Sequence, residues 1–413
     1  MRRDDEAETT APGPTGASAP PRRPDRLALA LISLGELLAW SALHYSFSAL
    51  LPHFEAEYAA AALPASLGLT LSLAAMACLA PLSGRWVDRG RAPWTMPGGA
   101  LLGALGLCLV AMSNAQPLFL VGWIVVGAGA AFCLYEPCFA LLTRTRGLEA
   151  RRAIATVTLT AGFATLVSFP GNAALESAFG WRGAALGMAA VSAFLAAPLL
   201  AWSARRIDRE APPRAPGAAV SRGVSIRAAM RRPGVARIVA AFLGASISHG
   251  VIVAHMLPLL AAQGVPPAIA VGVAAAMGPL QVAGRLALIA SPAAWPVRTL
   301  AMAALTGLAL ASAALLTAGW GLGLVGAAAF VALQGVAIGT VTILRPVVLA
   351  ETSGTEDYGS VSGAAALAWI SGMAAAPSLG GALRALGGAD ATLAVTLLLS
   401  LSGALLLLPR RRA

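Results

Sequence analysis

The stretch Gly84-Arg85-Trp86-Val87-Asp88-Arg89-Gly90-Arg91 is a short charged segment that separates two long apolar runs, residues 63–84 and 95–113. The same alternation of long apolar runs and short charged segments continues along the chain. Of the 413 residues, 58% are hydrophobic and 11% are charged, whereas a soluble domain carries about 25% charged residues. The composition therefore excludes an ordinary water-soluble enzyme, a disordered chain and a collagen-like chain.

Twelve apolar runs have the length of a membrane-crossing helix, which needs roughly 20 apolar residues. They cover residues 27–51, 63–84, 95–113, 117–141, 152–178, 182–204, 236–261, 267–290, 299–318, 322–348, 359–383 and 390–408. Runs such as 101–110 are apolar on both faces, whereas a transmembrane β-strand alternates apolar and polar residues. We therefore predict an all-α membrane protein with twelve transmembrane helices, numbered here as spans one to twelve.

A polar segment, residues 205–235, divides these spans six and six. We predict a six-helix half over 27–204, a cytosolic linker over 205–235 and a second six-helix half over 236–408, flanked by a disordered cytosolic tail, 1–26, and a short cytosolic tail, 409–413. Short patterns recur between the halves: Pro81-Leu82 and Gly84-Arg85 against Pro279-Leu280 and Gly284-Arg285; Gly127, Gly129 and Glu136-Pro137 against Gly335, Gly339 and Arg345-Pro346. Paired six-helix halves are typical of secondary transporters, which bind their substrate between the halves near the middle of the membrane.

The placement of the arginines predicts the orientation of the chain. The net charge is +11, and every Lys or Arg position is an arginine. Alternate loops, beginning with 85–91, are rich in arginine, whereas the intervening loops hold only Arg182 and Arg384. Since positive residues stay on the cytosolic side, we predict a plasma-membrane protein with both termini in the cytosol. The arginines then face anionic membrane lipids, and a nucleic-acid partner is excluded.

The segment 84–91 resembles the loop motif of the major facilitator superfamily: a Gly, then Asp-Arg four residues later, then Gly-Arg. One residue fewer separates Arg89 from Gly90 here. Phe179-Gly180-Trp181-Arg182 and the glycines and Pro377 of span eleven are also similar to the superfamily. The resemblance extends from about residue 25 to residue 412 and implies the paired-half fold.

The resemblance also implies a gating loop between spans two and three. Its residues are Gly84, Asp88, Arg89, Gly90 and Arg91. Gly84 would let two helices approach closely, and Asp88 would accept hydrogen bonds from a helix N-terminus or an arginine across the halves. The alternative is a solvated charged turn that only sets the topology.

Departures from the superfamily patterns bear on the substrate. Trp123 stands where proton-coupled members often carry an arginine in span four, which argues against that form of proton coupling. Span five carries only Gly162 and Pro170-Gly171, whereas drug antiporters have a denser glycine and proline pattern. The sequence Tyr135-Glu136-Pro137 is more similar to the branch that moves small organic acids, the monocarboxylate-like branch.

Polar and ionisable groups within the spans are the candidate substrate or coupling residues, because a charge in the membrane costs several kcal/mol unless it is paired or hydrated. These residues are Glu36, Trp40, His44, Glu136, His249, Arg285 and Arg345.

Glu36 lies roughly 14 Å into span one, and Trp40 and His44 follow on the same helix face. A carboxylate at that depth can take up a proton, and the alternative for Glu36 is a structural role. For His249 in span seven, too, the alternative to a coupling role is a hydrogen-bonded packing role.

Glu136 and Arg345 occupy similar positions in the two halves, so we predict that they pair across the central cavity or hold substrate. The alternative for Arg345 is a position at the inner membrane surface. For Arg285 we predict that it binds an anion or that it belongs to a second gating loop, equivalent to the one between spans two and three.

Four cysteines lack metal-ligand spacing, and nucleotide-binding and hydrolase motifs are absent from the sequence. We therefore predict neither an enzyme nor a protein with a cofactor or metal, but a monomeric secondary transporter. Its partners would be a small organic substrate, membrane lipids and a coupling proton or counter-solute. A carboxylate is the favoured substrate; the alternatives are efflux of apolar or cationic drug-like compounds, attracted by Glu36, and a polytopic membrane enzyme or receptor.

Overall fold

The computed structural model describes residues 25–61, 63–146, 150–210, 231, 234–291, 295–353 and 358–408. Within these ranges the chain is helical and contains no β-strand, which confirms the all-α prediction. Most of the predicted tails, 1–26 and 409–413, and the middle of the predicted linker, 205–235, lie outside the described residues.

The N-terminal half is built from helices that follow the predicted spans one to six. They are α1 (Arg26–Trp40), α2 (Ser46–Glu57), α3 (Leu67–Asp88), α4 (Ala92–Ala111), α5 (Gln116–Cys133), α6 (Tyr135–Arg146), α7 (Ala150–Ala161), α8 (Ala164–Ala190) and α9 (Ala197–Asp208). Short π-helical stretches, Ser41–Tyr45 and Val191–Ala196, join α1 to α2 and α8 to α9. Spans one, four, five and six are therefore each divided between two helices.

The C-terminal half follows the same order. Its helices are α10 (Val235–Ala254), α11 (Met256–Ala262), α12 (Pro267–Ile289), α13 (Val297–Thr317), α14 (Gly323–Ser353) and α15 (Tyr358–Leu406).

Three glycines mark boundaries between spans inside long helical stretches. When adjoining helices are taken together, the described residues form nine helical stretches that are long and apolar enough to cross a membrane. Three of these stretches are long enough for two spans each. Gly180, Gly321 and Gly388 interrupt these three with φ angles of 69°, 116° and 69°, a region that favours glycine. The arrangement is consistent with twelve spans, and the positions agree with the predicted ends of spans five, nine and eleven.

Polar contacts at the helix ends group the loops as the alternating arginines predict. Asp25, before α1, lies 3.4 Å from Arg206 at the end of α9, and Arg146 at the end of α6 lies 3.2 Å from Glu210. We call the end of the bundle that carries these residues and the loop 84–91 the arginine-rich face.

The opposite end, the arginine-poor face, carries the other set of loops. Arg182, which follows the Gly180 break, binds Glu57 at the end of α2 at 2.7 Å and the Ser113 carbonyl after α4 at 3.1 Å. The loops therefore alternate between two faces along the N-terminal half, as in a chain that crosses the membrane repeatedly.

Glycines repeat the same helix packing in the two halves. A Cβ atom on Gly127 of α5 would overlap the Ser72 carbonyl of α3, and one on Gly339 of α14 would overlap the Gln281 carbonyl of α12. Span four thus packs on span two as span ten packs on span eight. The sequence repeat therefore has a physical origin, because small residues at these positions let the helix backbones touch.

We expect Gly127→Ala to destabilise the fold by about 1–3 kcal/mol, because the added methyl group forces α5 away from α3. The measurement is thermal unfolding of the purified protein in detergent. Gly98→Ala in α4 is the matched control, since no atom of the described residues lies within 4 Å of a Cβ built there. Equal stability of the two variants would contradict the close packing of spans two and four.

Candidate functional site

The site between the halves begins with an irregular turn in span one. The helix widens to a π-helical turn over Ser41–Tyr45, a feature that is frequent at functional sites. Trp40 and His44 lie together at this turn, with ring centroids 5.1 Å apart. This contact confirms that the two side chains share a helix face, as their spacing predicts.

A break in span four faces this turn. Leu134 leaves the helical conformation (ψ −157°), so that α5 ends and α6 begins one residue later. The ring of Tyr135 then lies 4.7 Å from the ring of Trp40 and 4.9 Å from that of Phe139. Pro137 follows in the first turn of α6, where a missing N–H is tolerated.

Arg285 reaches across the interface between the halves. It lies on α12, and its Nη1 donates to the Thr158 carbonyl of α7 at 2.8 Å. It also interacts electrostatically with Tyr45 and Tyr135. Among the described residues no carboxylate oxygen lies within 4.0 Å of it, so its charge rests against neutral groups.

Two histidines, one in each half, lie near the same interface. His44 and His249 are both buried and interact electrostatically, one from each half. His249 Nδ1 lies 3.2 Å from Gln334 Nε2 of α14, so a hydrogen-bond partner from span ten holds its ring.

Glu36 does not line the space between the halves. Its side chain has no exposed surface and lies beside Trp40 and Cys138, within the N-terminal half. Among the described residues neither carboxylate oxygen has a hydrogen bond of good geometry. Trp40 thus lies between Glu36 and His44, in the order that their spacing predicts, while Glu36 itself is enclosed.

Glu136 and Arg345 stand on opposite halves and interact electrostatically. Glu136 is exposed at the start of α6, and Arg345 is half-buried in α14 with its guanidinium 4.7 Å from the centre of the Trp369 ring. Direct pairing between the two charges stays a prediction.

The loop 84–91 forms a turn that requires glycine at one position. Gly90 has a φ of 77°, its N–H donates to the Val87 carbonyl, and the Arg91 N–H donates to the Trp86 carbonyl, which together close the end of α3. The close helix approach predicted at Gly84 is absent here, since no described atom lies within 4 Å of a Cβ built on it. Arg89 and Arg91 are exposed, and the side chain of Asp88 lies outside the described residues.

Sequence reasoning missed an ionic contact between the halves on the arginine-poor face. Arg384 of α15 donates to Glu55 of α2 at 2.5 Å, and its Nη1 lies 3.2 Å from Nδ1 of His255. The other ring nitrogen of His255 lies 2.8 Å from the Pro377 carbonyl. A sequence signal for this contact exists. The predicted arginine-poor loops hold two arginines, Arg182 and Arg384, and the segment after span one holds two glutamates, Glu55 and Glu57, that can pair with them.

Thr165 of α8 joins the halves at the backbone of span eight. Pro279 of α12 has no N–H to bond the carbonyl of Ala275, four residues earlier. The Thr165 hydroxyl donates to that carbonyl at 3.0 Å and accepts from the Gly278 N–H at 2.8 Å. One side chain of the N-terminal half thus completes the backbone hydrogen bonding of the C-terminal half.

Solved transporter structures share this fold. Two structures of a bacterial homologue of the human lysosomal transporter Spinster, both inward-facing, superpose with TM-scores of 0.63 (unoccupied) and 0.61 (occupied). They are 14% and 15% identical to this chain and cover 93% and 95% of it, and 95% of their own chains in both cases.

The sequence matches the Major Facilitator Superfamily over residues 29–369. The chain therefore belongs to this superfamily of multi-pass membrane transporters, which excludes the alternative of a membrane enzyme or receptor. Monocarboxylate transporter 11 of the mouse (Mus musculus) is 36% identical over 182 residues, which is 43% of this chain. The match spans 39% of the length of that relative.

We expect Thr165→Val to destabilise the protein by about 1–3 kcal/mol, because the Ala275 carbonyl and the Gly278 N–H lose their partner in a buried place. Thermal unfolding in detergent measures the loss. Thr165→Ser keeps the hydroxyl and should retain most of the stability. If valine and serine behave alike, the hydrogen bonds do not stabilise the interface.

Proposed function

We propose that this chain moves a small organic solute, a monocarboxylate in the first place, across the plasma membrane by alternating access of its two halves. The arginine-rich face lies in the cytosol with both termini, and transport is coupled to a proton or a counter-solute. The transporter acts as a monomer in contact with membrane lipids.

The observation that best supports a carboxylate substrate is the position of Arg285. Its guanidinium lies at the interface of the halves and donates to a neutral carbonyl, that of Thr158, so its positive charge is available to an anion. Arginine donates two parallel hydrogen bonds to a carboxylate, which combines affinity with orientation. Tyr45 and Tyr135 interact electrostatically with Arg285 and are polar groups of the same region. The name of the mouse relative agrees with this substrate class.

Alternating access requires contacts between the halves that break and reform. Support comes from the polar character of these contacts: Glu55 with Arg384, and Thr165 with the backbone of α12. Thr70 and Ser378 add a hydroxyl pair, 2.8 Å apart, between α3 and α15. A small number of directional hydrogen bonds can be replaced by bonds to water when the halves separate. A fully interdigitated apolar interface, by contrast, resists separation.

The second predicted substrate, a cationic or apolar compound drawn to Glu36, receives less support. Glu36 has no exposed surface in this conformation and is enclosed by residues of its own half. Coupling through His44 and His249 is the arrangement that we favour, because these histidines belong to different halves and interact electrostatically.

We expect Arg285→Gln to reduce monocarboxylate uptake at least about tenfold, because a charge-assisted hydrogen bond to the carboxylate is lost. Arg285→Lys, which keeps the charge without the planar fork, should be intermediate. The assay is uptake of radiolabelled lactate, pyruvate and butyrate into proteoliposomes.

Arg205→Gln is the matched control, because Arg205 is exposed and its guanidinium lies 5.4 Å from the ring of Trp94, away from the interface. Full uptake by Arg285→Gln would remove the residue from the site. Equal uptake of the neutral amides of these acids would remove the carboxylate as substrate.

We expect Glu136→Arg and Arg345→Glu each to impair transport, and the double reversal to restore it in part, because opposite charges then face each other again. Uptake rates in proteoliposomes report the rescue, with the amount of folded protein measured by size-exclusion chromatography. A double variant that is no better than either single one would show that the two charges act separately.

A further inference from the structure

A cavity of about 340 Å³ lies at the arginine-poor end of the interface between the halves. Its walls come from α2 and α8 of the N-terminal half and from α11 and α12 of the C-terminal half. Leu50, Phe169, Leu257 and Val271 give it a largely apolar lining. This volume and lining are those of a pocket for a small organic ligand. Arg285 does not line this cavity, so the site is separate from the proposed substrate site.

Asn172 supplies a buried polar group that lacks a partner. The side chain is 1% exposed, and it lines the cavity from the middle of α8. Its Nδ2 donates to the Ser168 carbonyl at 2.8 Å and lies 3.2 Å from the Ser168 hydroxyl, which fixes the orientation of the amide. No donor among the described residues reaches Oδ1. A buried acceptor without a partner is unfavourable, because it has lost its hydrogen bonds to water, so a donor is needed here.

A second acceptor lies one helical turn away. Glu176 follows Asn172 by four residues on α8 and lines the same cavity, so the two side chains are neighbours on one helix face. Its carboxylate lies 3.5 Å from Nε2 of His53, and both side chains are about one-third exposed. Among the described residues that line the cavity none is an arginine, and the basic residue there, His53, already faces the Glu176 carboxylate. The polar corner therefore favours a positive group over an anion.

We propose that this cavity binds an amphiphilic primary ammonium compound, with its head group between Asn172 and Glu176 and its apolar chain along the lining. An ammonium carries three N–H donors, which is enough to satisfy Asn172 Oδ1 and the Glu176 carboxylate together. A hydroxyl has one donor and leaves one acceptor unsatisfied. The apolar walls exclude a small hydrophilic cation, because they gain nothing from its burial.

The experiment uses a decylammonium analogue with a diazirine in its chain, added to the full chain in nanodiscs. After irradiation, mass spectrometry identifies the labelled peptides. We expect labelling of α2, α8, α11 and α12 at the cavity. Unmodified decylammonium should compete, and decanoate and decanol should compete about tenfold less well.

Two variants test the polar corner. Asn172→Leu and Glu176→Gln should each reduce specific labelling about tenfold, whereas Ser177→Ala, an exposed neighbour on the same helix that bonds its own backbone, should not. Glu176→Gln guards against misfolding, because Glu176 lies partly exposed and its replacement keeps the shape of the side chain.

Competition by decanoate equal to that by decylammonium, or labelling unchanged in both variants, would overturn the proposal and leave a cavity that takes any alkyl chain. Labelling of peptides around Arg285 instead would also overturn it. Neither result depends on monocarboxylate uptake, so the outcome is independent of the proposed function.

Discussion

The backbone of a membrane-spanning chain has no water with which to form hydrogen bonds, and this constraint governs the structure. Every helical interruption must therefore be satisfied from within the protein. Pro279 illustrates the consequence: it leaves the Ala275 carbonyl without a donor, and Thr165 of the other half supplies one. The missing hydrogen bond in one helix is thus replaced by a specific contact between the halves, because a carbonyl without a donor is unfavourable in an apolar environment.

The same constraint explains the role of glycine in this chain. Since lipid offers no hydrophobic force that drives helices together, close backbone packing supplies part of the attraction. Gly127 on Ser72 and Gly339 on Gln281 place the same close contact in each half. These contacts hold each half together as a unit, while the interface between the halves relies more on hydroxyls and charges. Rigid halves with a polar interface suit a transporter that rocks one half against the other.

Much of the fold could be predicted from the sequence, because length and hydropathy determine what crosses a membrane. The alternating arginines predicted the grouping of the loops, which the bonds of Arg206 and Arg146 confirm. The turn at Gly90 also follows the pattern, since its positive φ favours glycine. Trp123, noted as a departure in span four, is fully buried against Phe47. It therefore serves packing in a position that the resemblance associates with a charge.

The candidate site was less predictable, because helical spacing assumes a regular helix. The sequence indicates neither the π-helical turn at Ser41–Tyr45 nor the enclosure of Glu36 within its own half, since both depend on how the helices pack. Contacts between distant segments, such as Glu55 with Arg384, leave no local pattern in the chain, and only the matching numbers of arginines and glutamates near the arginine-poor face point to them. Gly84 shows the opposite error: the motif was present, yet the close approach expected of it is absent from this conformation.

Charged side chains are scarce inside the helix bundle. Whether each one is paired with an opposite charge therefore indicates whether it has a structural role or is available to bind a ligand. Arg384 is matched by Glu55, and Arg182 by Glu57, so these pairs are neutral without a ligand. Arg285 differs, because its hydrogen bond goes to a carbonyl and the nearby polar rings belong to tyrosines. A positive charge held near the interface by neutral groups is costly until an anion arrives. On our proposal a carboxylate offsets this cost when it binds, and the difference between the empty and the loaded site would let the substrate shift the balance between two arrangements of the halves.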